Sequence, residues 1–296
     1  MKVGFVGLGN MGGPMAGCLV RAGHEVTGFD PVAACPEGVR PATGAAEAAA
    51  GAEVVITMLP DGAVLRAVAA GVIPAMKPGA VLLDCSTVDV ATARAVAAQA
   101  VAAGLRAVDA PVSGGIAAAA QGSLTFMAGG PADAVEAVRP LLEAMGQRVV
   151  HCGDAGAGQA AKVCNNMILG ATMAVTCEAF ALADRLGLDR QALYDVVSAA
   201  SGQSWSLTSY CPAPGVGPQT PADRDYRPGF AAALMLKDLR LSQQAADAGG
   251  LATPLGAAAT AVYARLVEEA GLGDADFSVL LKWLGDGGAA DPRGRT

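Results

Sequence analysis

A lysine and an asparagine interrupt the most apolar stretch of this sequence at a spacing that could support proton transfer. The stretch reads GQAAKVCNNMILG and places Lys162 and Asn166 four residues apart. In a helix, that spacing puts both side chains on one face. A lysine in such a place often extends its charged end to solvent from an apolar stem. Burial beside a second cation would instead lower the pKa of a lysine, so that it could accept the proton of an alcohol.

A second cation occurs in the later segment LMLKDLRLS, where Lys237 precedes Asp238. By itself this pair is an ordinary feature of an amphipathic helix. The chain has two histidines, and neither is well placed to act as a general base. His24 precedes the second predicted strand, at the amino end of the sheet, whereas ligands lie at the carboxyl ends. His151 ends the last predicted strand and is expected to be structural. The remaining candidates for acid–base chemistry are lysines, and Lys162 lies in the most unusual sequence context among them.

A glycine-rich loop near the start of the chain has the spacing of a dinucleotide-binding turn. Gly7-x-Gly9-x-x-Gly12 lies between the apolar run KVGFV and a helical segment. Gly7 would allow the tight turn, Gly9 would let the backbone approach a diphosphate, and Gly12 would let helix and strand pack closely. The diphosphate would then lie at the N-terminus of the helix. The other loop residues belong to the same predicted cofactor site: Leu8, Asn10 and Met11.

An acidic residue, Asp30, follows the second predicted strand. At this position a carboxylate can hydrogen-bond the adenosine ribose and repel a 2′-phosphate, which predicts NAD rather than NADP. Two alternatives remain, because an Asp before a proline is also ordinary turn chemistry and the glycines could serve packing alone. Two further strand ends should face the same crevice, Leu59-Pro60 in TMLP and Ser86-Thr87 in DCST.

The two halves of the sequence have different periodicities. Up to about residue 152, short β-rich runs alternate with helical segments, which predicts βαβ units and a largely parallel sheet. The later part is helical and begins with a helix of roughly 27 residues, about 40 Å long. We therefore predict an α/β Rossmann-type dinucleotide-binding domain over residues 1–157, followed by an all-α domain over residues 158–296 with the long helix as its spine.

Two segments of the second half are predicted to be irregular. Residues 211–229, CPAPGVGPQTPADRDYRPG, contain five prolines, too many for a helix or a central strand. They should form a surface loop, or a cover over a functional site. The glycine-rich tail, residues 285–296, is predicted to be disordered.

The composition disfavours several functional classes. The chain has 296 residues and a net charge of −7, which argues against a partner such as nucleic acid or an anionic membrane. Its seven cysteines lack the spacing of metal ligands, so reduced thiols and no metal site are expected. The first predicted strand begins at Lys2, which leaves no room for a targeting segment and predicts a cytoplasmic location. The long helix carries Asn165, Asn166 and Glu178, which disfavours a membrane span.

Five sequence blocks together resemble the β-hydroxyacid dehydrogenase family. They are GFVGLGNMGGPMA, DCST, DAPVSGG with GSLTFMAGG, GAGQAAKVCNN and LMLKDLRLS, in the order and with the spacing of the family. The resemblance covers residues 2–284. The segment from Trp205 to Phe230 and the late DFSVLLKWL look like the branch that oxidises 3-hydroxyisobutyrate with NAD in valine catabolism.

The resemblance implies a role for each matching residue. Lys162 would be the general acid/base, and Asn166 would help to hold the substrate. The SGG block would bind the substrate carboxylate through a hydroxyl and backbone N–H groups, and Lys237 would border both nicotinamide and substrate. Asp238 would contact the cofactor or simply orient Lys237, while Trp205 would be an apolar wall beside the substrate or part of the core. The remaining implied positions are Ser113, Gly114 and Gly115 for the substrate, and Leu59, Pro60 and Thr87 for the cofactor.

Other functions fit the same residues. Within the family, the substrate could be tartronate semialdehyde, glyoxylate, succinic semialdehyde, 3-hydroxypropionate or serine. Imine reductases share the architecture but typically lack the lysine, and decarboxylating phosphogluconate dehydrogenase has a larger helical domain. Outside the enzymes, the chain could be a NAD-binding sensor. The nearly all-apolar helix from Gly158 also predicts a homodimer or homotetramer, because one small domain could not cover it.

Overall fold

The structure is a computed structural model and describes residues 1–288. The predicted disordered tail therefore lies largely outside the described residues. The chain divides into two units, Met1–Lys162 and Val163–Thr296. The division falls inside one long helix, a few residues after the predicted boundary between residues 157 and 158.

The first unit is built on one twisted sheet with a mainly parallel strand order. In the part of the chain that the structure describes, its strands are β1 (Lys2–Val6), β2 (Glu25–Phe29), β3 (Arg40–Pro41), β4 (Val54–Thr57), β5 (Val81–Asp84), β6 (Arg106–Asp109), β7 (Val112–Ser113), β8 (Leu124–Gly129) and β9 (Gly146–Gly153). Their order in space is β3-β2-β1-β4-β5-β6-β8-β7, with β9 paired to β8. The pairs among β1 to β6 are parallel, and β8 runs antiparallel to β6 and β7. The predicted largely parallel sheet is confirmed.

Helices cover this sheet and set the position of the glycine loop. They are α1 (Gly12–Arg21), α2 (Ala45–Ala49), α3 (Gly62–Val72), α4 (Val90–Ala102), α5 (Gly115–Gln121) and α6 (Ala132–Met145). Because β1 lies between β2 and β4, the strand order reverses at its carboxyl end, where the glycine loop follows. Alternate strand residues pack into separate clusters, with Phe5 and Ile56 in one and Val55 and Leu82 in the other.

The regular elements in the described part of the second unit are helices, as predicted, and one isolated antiparallel bridge joins Ala231 and Asp276. The helices are α7 (Ala157–Arg185), which begins in the first unit, α8 (Arg190–Ser198), α9 (Trp205–Thr208), α10 (Ala232–Ala248), α11 (Pro254–Ala264) and α12 (Leu280–Gly285). A π-helical turn follows α11 at Arg265–Glu269, and 3₁₀ turns occupy Pro221–Arg224 and Phe277–Val279. The core of this unit contains Phe180, Met235 and Tyr263. The proline-rich segment has no longer element than the Pro221–Arg224 turn, as a loop would. Ala213, Ala222 and Tyr226 nevertheless belong to the buried core, so the prediction that the segment lies simply at the surface is wrong.

The spine helix α7 is 29 residues long and close to its predicted length. Among the described residues it is the one helix whose length and composition would allow it to cross a membrane, a property that core helices of soluble proteins share. Three of its large apolar side chains, Ile168, Val175 and Leu182, are more than half exposed. Their seven-residue spacing places them on one face of the helix.

Candidate active site

The glycine loop has the geometry needed to hold a phosphate group. Gly7 has φ +95°, and a Cβ at Gly12 would lie 1.9 Å from the Gly7 carbonyl oxygen, so both positions require glycine. In contrast, a Cβ at Gly9 would meet no atom of the described residues within 4 Å. Protein packing does not explain that glycine, whereas a diphosphate lying against the backbone would. Met11 precedes α1 without a side-chain cap; the Gly13 amide donates to the Gly9 carbonyl and Pro14 has no N–H, so an anion here would meet the loop backbone up to Gly12.

Asp30 holds the glycine loop in place, a role that sequence reasoning missed. Its Oδ2 accepts a hydrogen bond from the Leu8 amide at 2.8 Å, and its Oδ1 accepts from the amides of Val32 and Ala33. Burial acts to raise the pKa of Asp30, but the three amide hydrogen bonds outweigh it and leave the pKa below its ordinary value. Asp30 is therefore a carboxylate at neutral pH, the charge state on which the prediction of NAD depends.

Three neighbouring strands end in polar residues that lie side by side. Thr57, Asp84 and Asp109 are register partners on β4, β5 and β6. The Thr57 hydroxyl donates to Asp84 Oδ1 at 2.7 Å, and the Ser86 amide donates to the same oxygen at 3.1 Å. The Leu59 amide donates to Ser86 Oγ at 2.9 Å. The segments after β4 and β5, both predicted to contact the cofactor, are thus joined by a hydrogen bond.

The carboxyl group of Asp84 is buried and incompletely hydrogen-bonded. Its Oδ2 has no hydrogen-bond partner among the described residues. Burial raises the pKa of Asp84 to about 6, against the hydrogen bonds from Ser86 and Thr57, and the nearby Asp109 adds to the rise. Burial also raises the pKa of Asp109. Asp84 therefore changes its charge at weakly acidic pH, within the interior of the first unit.

The first turn of α7 is attached to these strand ends. Asp109 accepts hydrogen bonds from the amide of Gly156 at 2.6 Å and from the amide of Gln159 at 2.9 Å. The side chain of Gln159 donates to the Ser86 carbonyl at 2.7 Å and accepts from the Val88 amide at 3.2 Å. Sequence reasoning missed Asp109 and Gln159. A polar residue at the end of an otherwise apolar strand was the signal that could have indicated Asp109.

The two residues predicted for proton transfer and substrate binding are both buried. Lys162 is 7% exposed and Asn166 is 1% exposed, one turn apart on the same face of α7. The alternative of a lysine extending into solvent therefore does not describe Lys162. The Asn166 Oδ1 accepts from Asn165 Nδ2 at 2.9 Å, and its Nδ2 donates to Asp238 Oδ2.

Asp238 contacts a second predicted site residue. Its Oδ1 lies 3.7 Å from the Lys237 Nζ, which is an ion-pair distance rather than a hydrogen bond. Asp238 is buried, whereas the Lys237 side chain is 31% exposed. Asp238 thus orients Asn166 and also faces Lys237. One of the two roles expected from the sequence was to orient Lys237 alone.

The Ser-Gly-Gly turn between β7 and α5 depends on its glycines. Gly114 has φ +136° and Gly115 has φ +72°, both in the region that favours glycine. A Cβ at Gly114 would also lie 2.7 Å from the Cβ of Ala118. Ser113 ends β7 and is half-buried. The turn therefore keeps bulk away from the backbone beside Ser113, as a site for a small carboxylate would need.

Trp205 lies at the surface of the second unit. It is 52% exposed and stacks on Tyr210 with a ring-centre distance of 5.0 Å. The alternative that Trp205 belongs to the core is therefore wrong, because a core residue would be enclosed. Tyr210, which the sequence did not indicate, donates its hydroxyl hydrogen bond to Asp276 at 2.8 Å.

The chain is similar to known families and proteins over most of its length. Residues 2–153 match the family model for the NAD binding domain of 6-phosphogluconate dehydrogenase, and residues 156–284 match that for the NAD-binding of NADP-dependent 3-hydroxyisobutyrate dehydrogenase. A 3-hydroxyisobutyrate dehydrogenase of Pseudomonas aeruginosa is 47% identical, over 88% of this chain and 90% of that protein. The NAD-dependent L-serine dehydrogenase of the same organism is 45% identical, over 95% of this chain and 97% of that protein.

A solved structure extends the likeness to the fold. It is that of Mycobacterium tuberculosis 3-hydroxyisobutyrate dehydrogenase with L-serine, which is 46% identical, with a TM-score of 0.91 over 95% of this chain and 98% of that one. Both family models and the relatives together span nearly all of the described residues. The chain therefore belongs to the β-hydroxyacid dehydrogenase family and is an NAD-dependent oxidoreductase.

Proposed function

We propose that the protein oxidises (S)-3-hydroxyisobutyrate to methylmalonate semialdehyde, a reaction of valine catabolism. The observation that carries this proposal is the burial of Lys162, one helical turn from Asn166 and just after a turn held to the strand ends. NAD⁺, when bound, supplies the acceptor for the hydride that leaves the hydroxymethyl carbon. Lys162, as the neutral amine, accepts the hydroxyl proton, while Asn166 and Lys237 hold the substrate. Oxidation should accordingly be favoured at alkaline pH.

The substrate carboxylate is assigned to the turn between β7 and α5. Ser113 offers a hydroxyl group there, and Gly114 and Gly115 offer backbone N–H groups unhindered by side chains. Asp30 supports a preference for NAD over NADP, since its carboxylate is charged at neutral pH and would repel a 2′-phosphate. Trp205 presents an aromatic face that suits an apolar wall near the substrate.

A second candidate function is the oxidation of L-serine. It is favoured by the L-serine dehydrogenase relative and by the solved relative described with L-serine. L-Serine carries an ammonium group where 3-hydroxyisobutyrate carries a methyl group, so the two acids need opposite surroundings at that carbon. Other family substrates, namely tartronate semialdehyde, glyoxylate, succinic semialdehyde and 3-hydroxypropionate, share the same chemistry.

A substrate panel tests the proposal directly. We expect kcat/KM with NAD to be highest for 3-hydroxyisobutyrate among that acid, L-serine, glycerate and 3-hydroxypropionate. A higher value for L-serine would select the second candidate. NAD binding with neither NADH formation from any acid nor NADH consumption by any semialdehyde would select a NAD-binding sensor instead.

The role of Lys162 has its own test. Lys162→Ala should lower kcat by about 10²- to 10⁴-fold, the usual contribution of a general base, while the affinity for NADH is retained. Turnover close to that of the wild type would contradict the role. A rate that stays flat from about pH 6 to about pH 10 would also count against it.

We also propose that the protein is a cytoplasmic homodimer or homotetramer. The support is the apolar face of α7, where Ile168, Val175 and Leu182 are 62%, 58% and 59% exposed. A second copy of the chain would remove this face from water. Light scattering should give a mass of two or four chains, and a monodisperse monomer would refute the proposal.

A further inference from the structure

The side chain of Gln159, near the start of α7, forms hydrogen bonds with two backbone groups that follow β5. It is fully buried. Its Nε2 donates to the Ser86 carbonyl at 2.7 Å, and its Oε1 accepts from the Val88 amide at 3.2 Å. Both halves of the carboxamide are thus engaged with backbone groups on either side of Thr87. A buried amide with both functions satisfied in this way is rigid, because rotating it would leave two buried groups unpaired.

The backbone of Gln159 is held as firmly as its side chain. Its amide donates to Asp109 Oδ2 at 2.9 Å, and Gly156 donates to the other oxygen at 2.6 Å. The next residue back, Gly158, lies so close to the sheet that a Cβ there would be 2.2 Å from the Met127 carbonyl oxygen. The start of α7 is therefore held closely against β6 and β8. The side chain of Gln159 also attaches it to the segment that follows β5.

Lys162 follows Gln159 by three residues, so the two side chains project from the same side of α7. Oxidising an alcohol removes a hydride from carbon and a proton from the oxygen bonded to that carbon. The proton acceptor and the bound cofactor must therefore keep one separation, and a misplacement of about 1 Å can cost about 10²-fold in rate. Thr87, expected to contact the cofactor, lies in the segment to which Gln159 is bonded.

We propose that Gln159 is a positioning residue that fixes Lys162 relative to the cofactor-binding segment Ser86–Val88. This inference rests on the proposed function for its effect on turnover, but the bridge itself consists of hydrogen bonds within the protein. Gln159 acts through the turn that carries Lys162 and through the backbone around Thr87, because both ends of its carboxamide are bonded to the backbone of Ser86 and Val88.

The first test replaces the carboxamide by an apolar group of similar size. Gln159→Met should lower kcat by roughly 10²-fold, with KM for the acid and for NAD changed by less than about threefold. Leu141→Ala creates a cavity at the buried face of α6, where the side chain forms none of these hydrogen bonds, and is the control for lost stability. It should leave kcat near the wild-type value in the folded protein. Equal losses of kcat in the two variants would overturn the inference.

A second variant gives a readout that a merely structural role would not produce. Gln159→Glu keeps an acceptor for the Val88 amide but places a carboxylate against the Ser86 carbonyl. Protonation restores the missing donor, so kcat relative to the wild type should rise as the pH falls from about 9 to about 6. Asp84, Asp109 and Lys162, the charged neighbours, are present in both proteins, so the pH dependence that they share cancels in the ratio, and what remains comes from the introduced carboxyl group and its interaction with them. A ratio that does not change with pH would overturn the inference.

Amide hydrogen exchange of the cofactor-free protein separates this inference from the proposed function. In Gln159→Met, the Val88 amide and the first turns of α7 should exchange at least about tenfold faster than in the wild type, and Leu141→Ala should not share this pattern. Unchanged exchange in both segments would overturn the inference. If the wild type oxidised no acid in the panel, the proposed function would fail, and faster exchange would still support the bridge.

Discussion

The amide of Leu8 donates a hydrogen bond to Asp30 at 2.8 Å, so the acid at the end of β2 holds the glycine loop at the end of β1. The carboxylate that should select the cofactor is also the one that shapes the cofactor loop. Removing it would therefore have two effects, one on the charge near the ribose and one on the loop.

Two substitutions of Asp30 should separate these effects. Asp30→Asn removes the charge but keeps an oxygen for the loop or turn amides, whereas Asp30→Ala removes both. We expect the ratio of kcat/KM for NAD to that for NADP to fall by about tenfold or more in both variants, the size of a lost charge-assisted hydrogen bond. Asp30→Ala should in addition unfold at lower urea concentration. A wild-type preference for NADP would contradict the role of Asp30 in selection.

The attachment of α7 to the sheet should be visible in stability. Asp109→Asn turns one acceptor into a donor that faces a backbone N–H, so we expect a loss of about 1–3 kcal/mol in the free energy of unfolding. Urea denaturation measures this change. Asp189→Asn is the matched control, because Asp189 caps α8 through one bond from the Ala192 amide that an asparagine can keep. A loss no larger than that of the control would show that Asp109 does not hold the turn.

Changes in the Ser-Gly-Gly turn should affect the binding of the hydroxy acid and not that of NAD. Ser113→Ala should raise KM for the hydroxy acid by about tenfold, the usual cost of a hydrogen bond to a charged group, and leave KM for NAD unchanged. Gly114→Ala should be more harmful, because φ at this position is +136° and the new Cβ would approach Ala118. Steady-state kinetics with each ligand varied in turn measures both. An equal rise in the two KM values would argue against a carboxylate site at Ser113.

The raised pKa of the buried Asp84 predicts how the free energy of unfolding depends on pH. Burial raises its pKa to about 6 from an ordinary value of 3.8. Its protonated form therefore stabilises the fold fully below about pH 4, and this contribution, at most about 3 kcal/mol, is lost as the pH rises through about 6.

Asp84→Asn mimics the protonated acid and should remove that loss. The free energy of unfolding of Asp84→Asn minus that of the wild type should increase between about pH 4 and about pH 7. The exposed Asp247→Asn on α10 should follow the wild type across the same range. A difference that stays constant with pH would mean that Asp84 does not change its charge in this interval.

Much of the architecture was predictable because it depends on local patterns. Continuous apolar runs such as VVIT and VLLD indicate strands covered on both faces, and the proline-free stretch after Gly158 indicates the spine helix. The reversal of β8 was not predictable in the same way. Direction within a sheet depends on how a connection packs, and the connection from β6 to β8, which contains β7 and α5, leaves no residue pattern that distinguishes the two directions.

The same distinction between local pattern and packing applies to the candidate site. By itself the sequence determined the residue types and short spacings: the glycine loop with Asp30, the Ser-Gly-Gly turn, and Lys162 one turn before Asn166. Only the tertiary structure decided which distant polar groups meet, as when Gln159 reaches Ser86 and Val88, or Asp238 reaches Asn166. The physical reason is that spacing along one helix follows from its fixed geometry, whereas a hydrogen bond between distant segments depends on how whole elements pack.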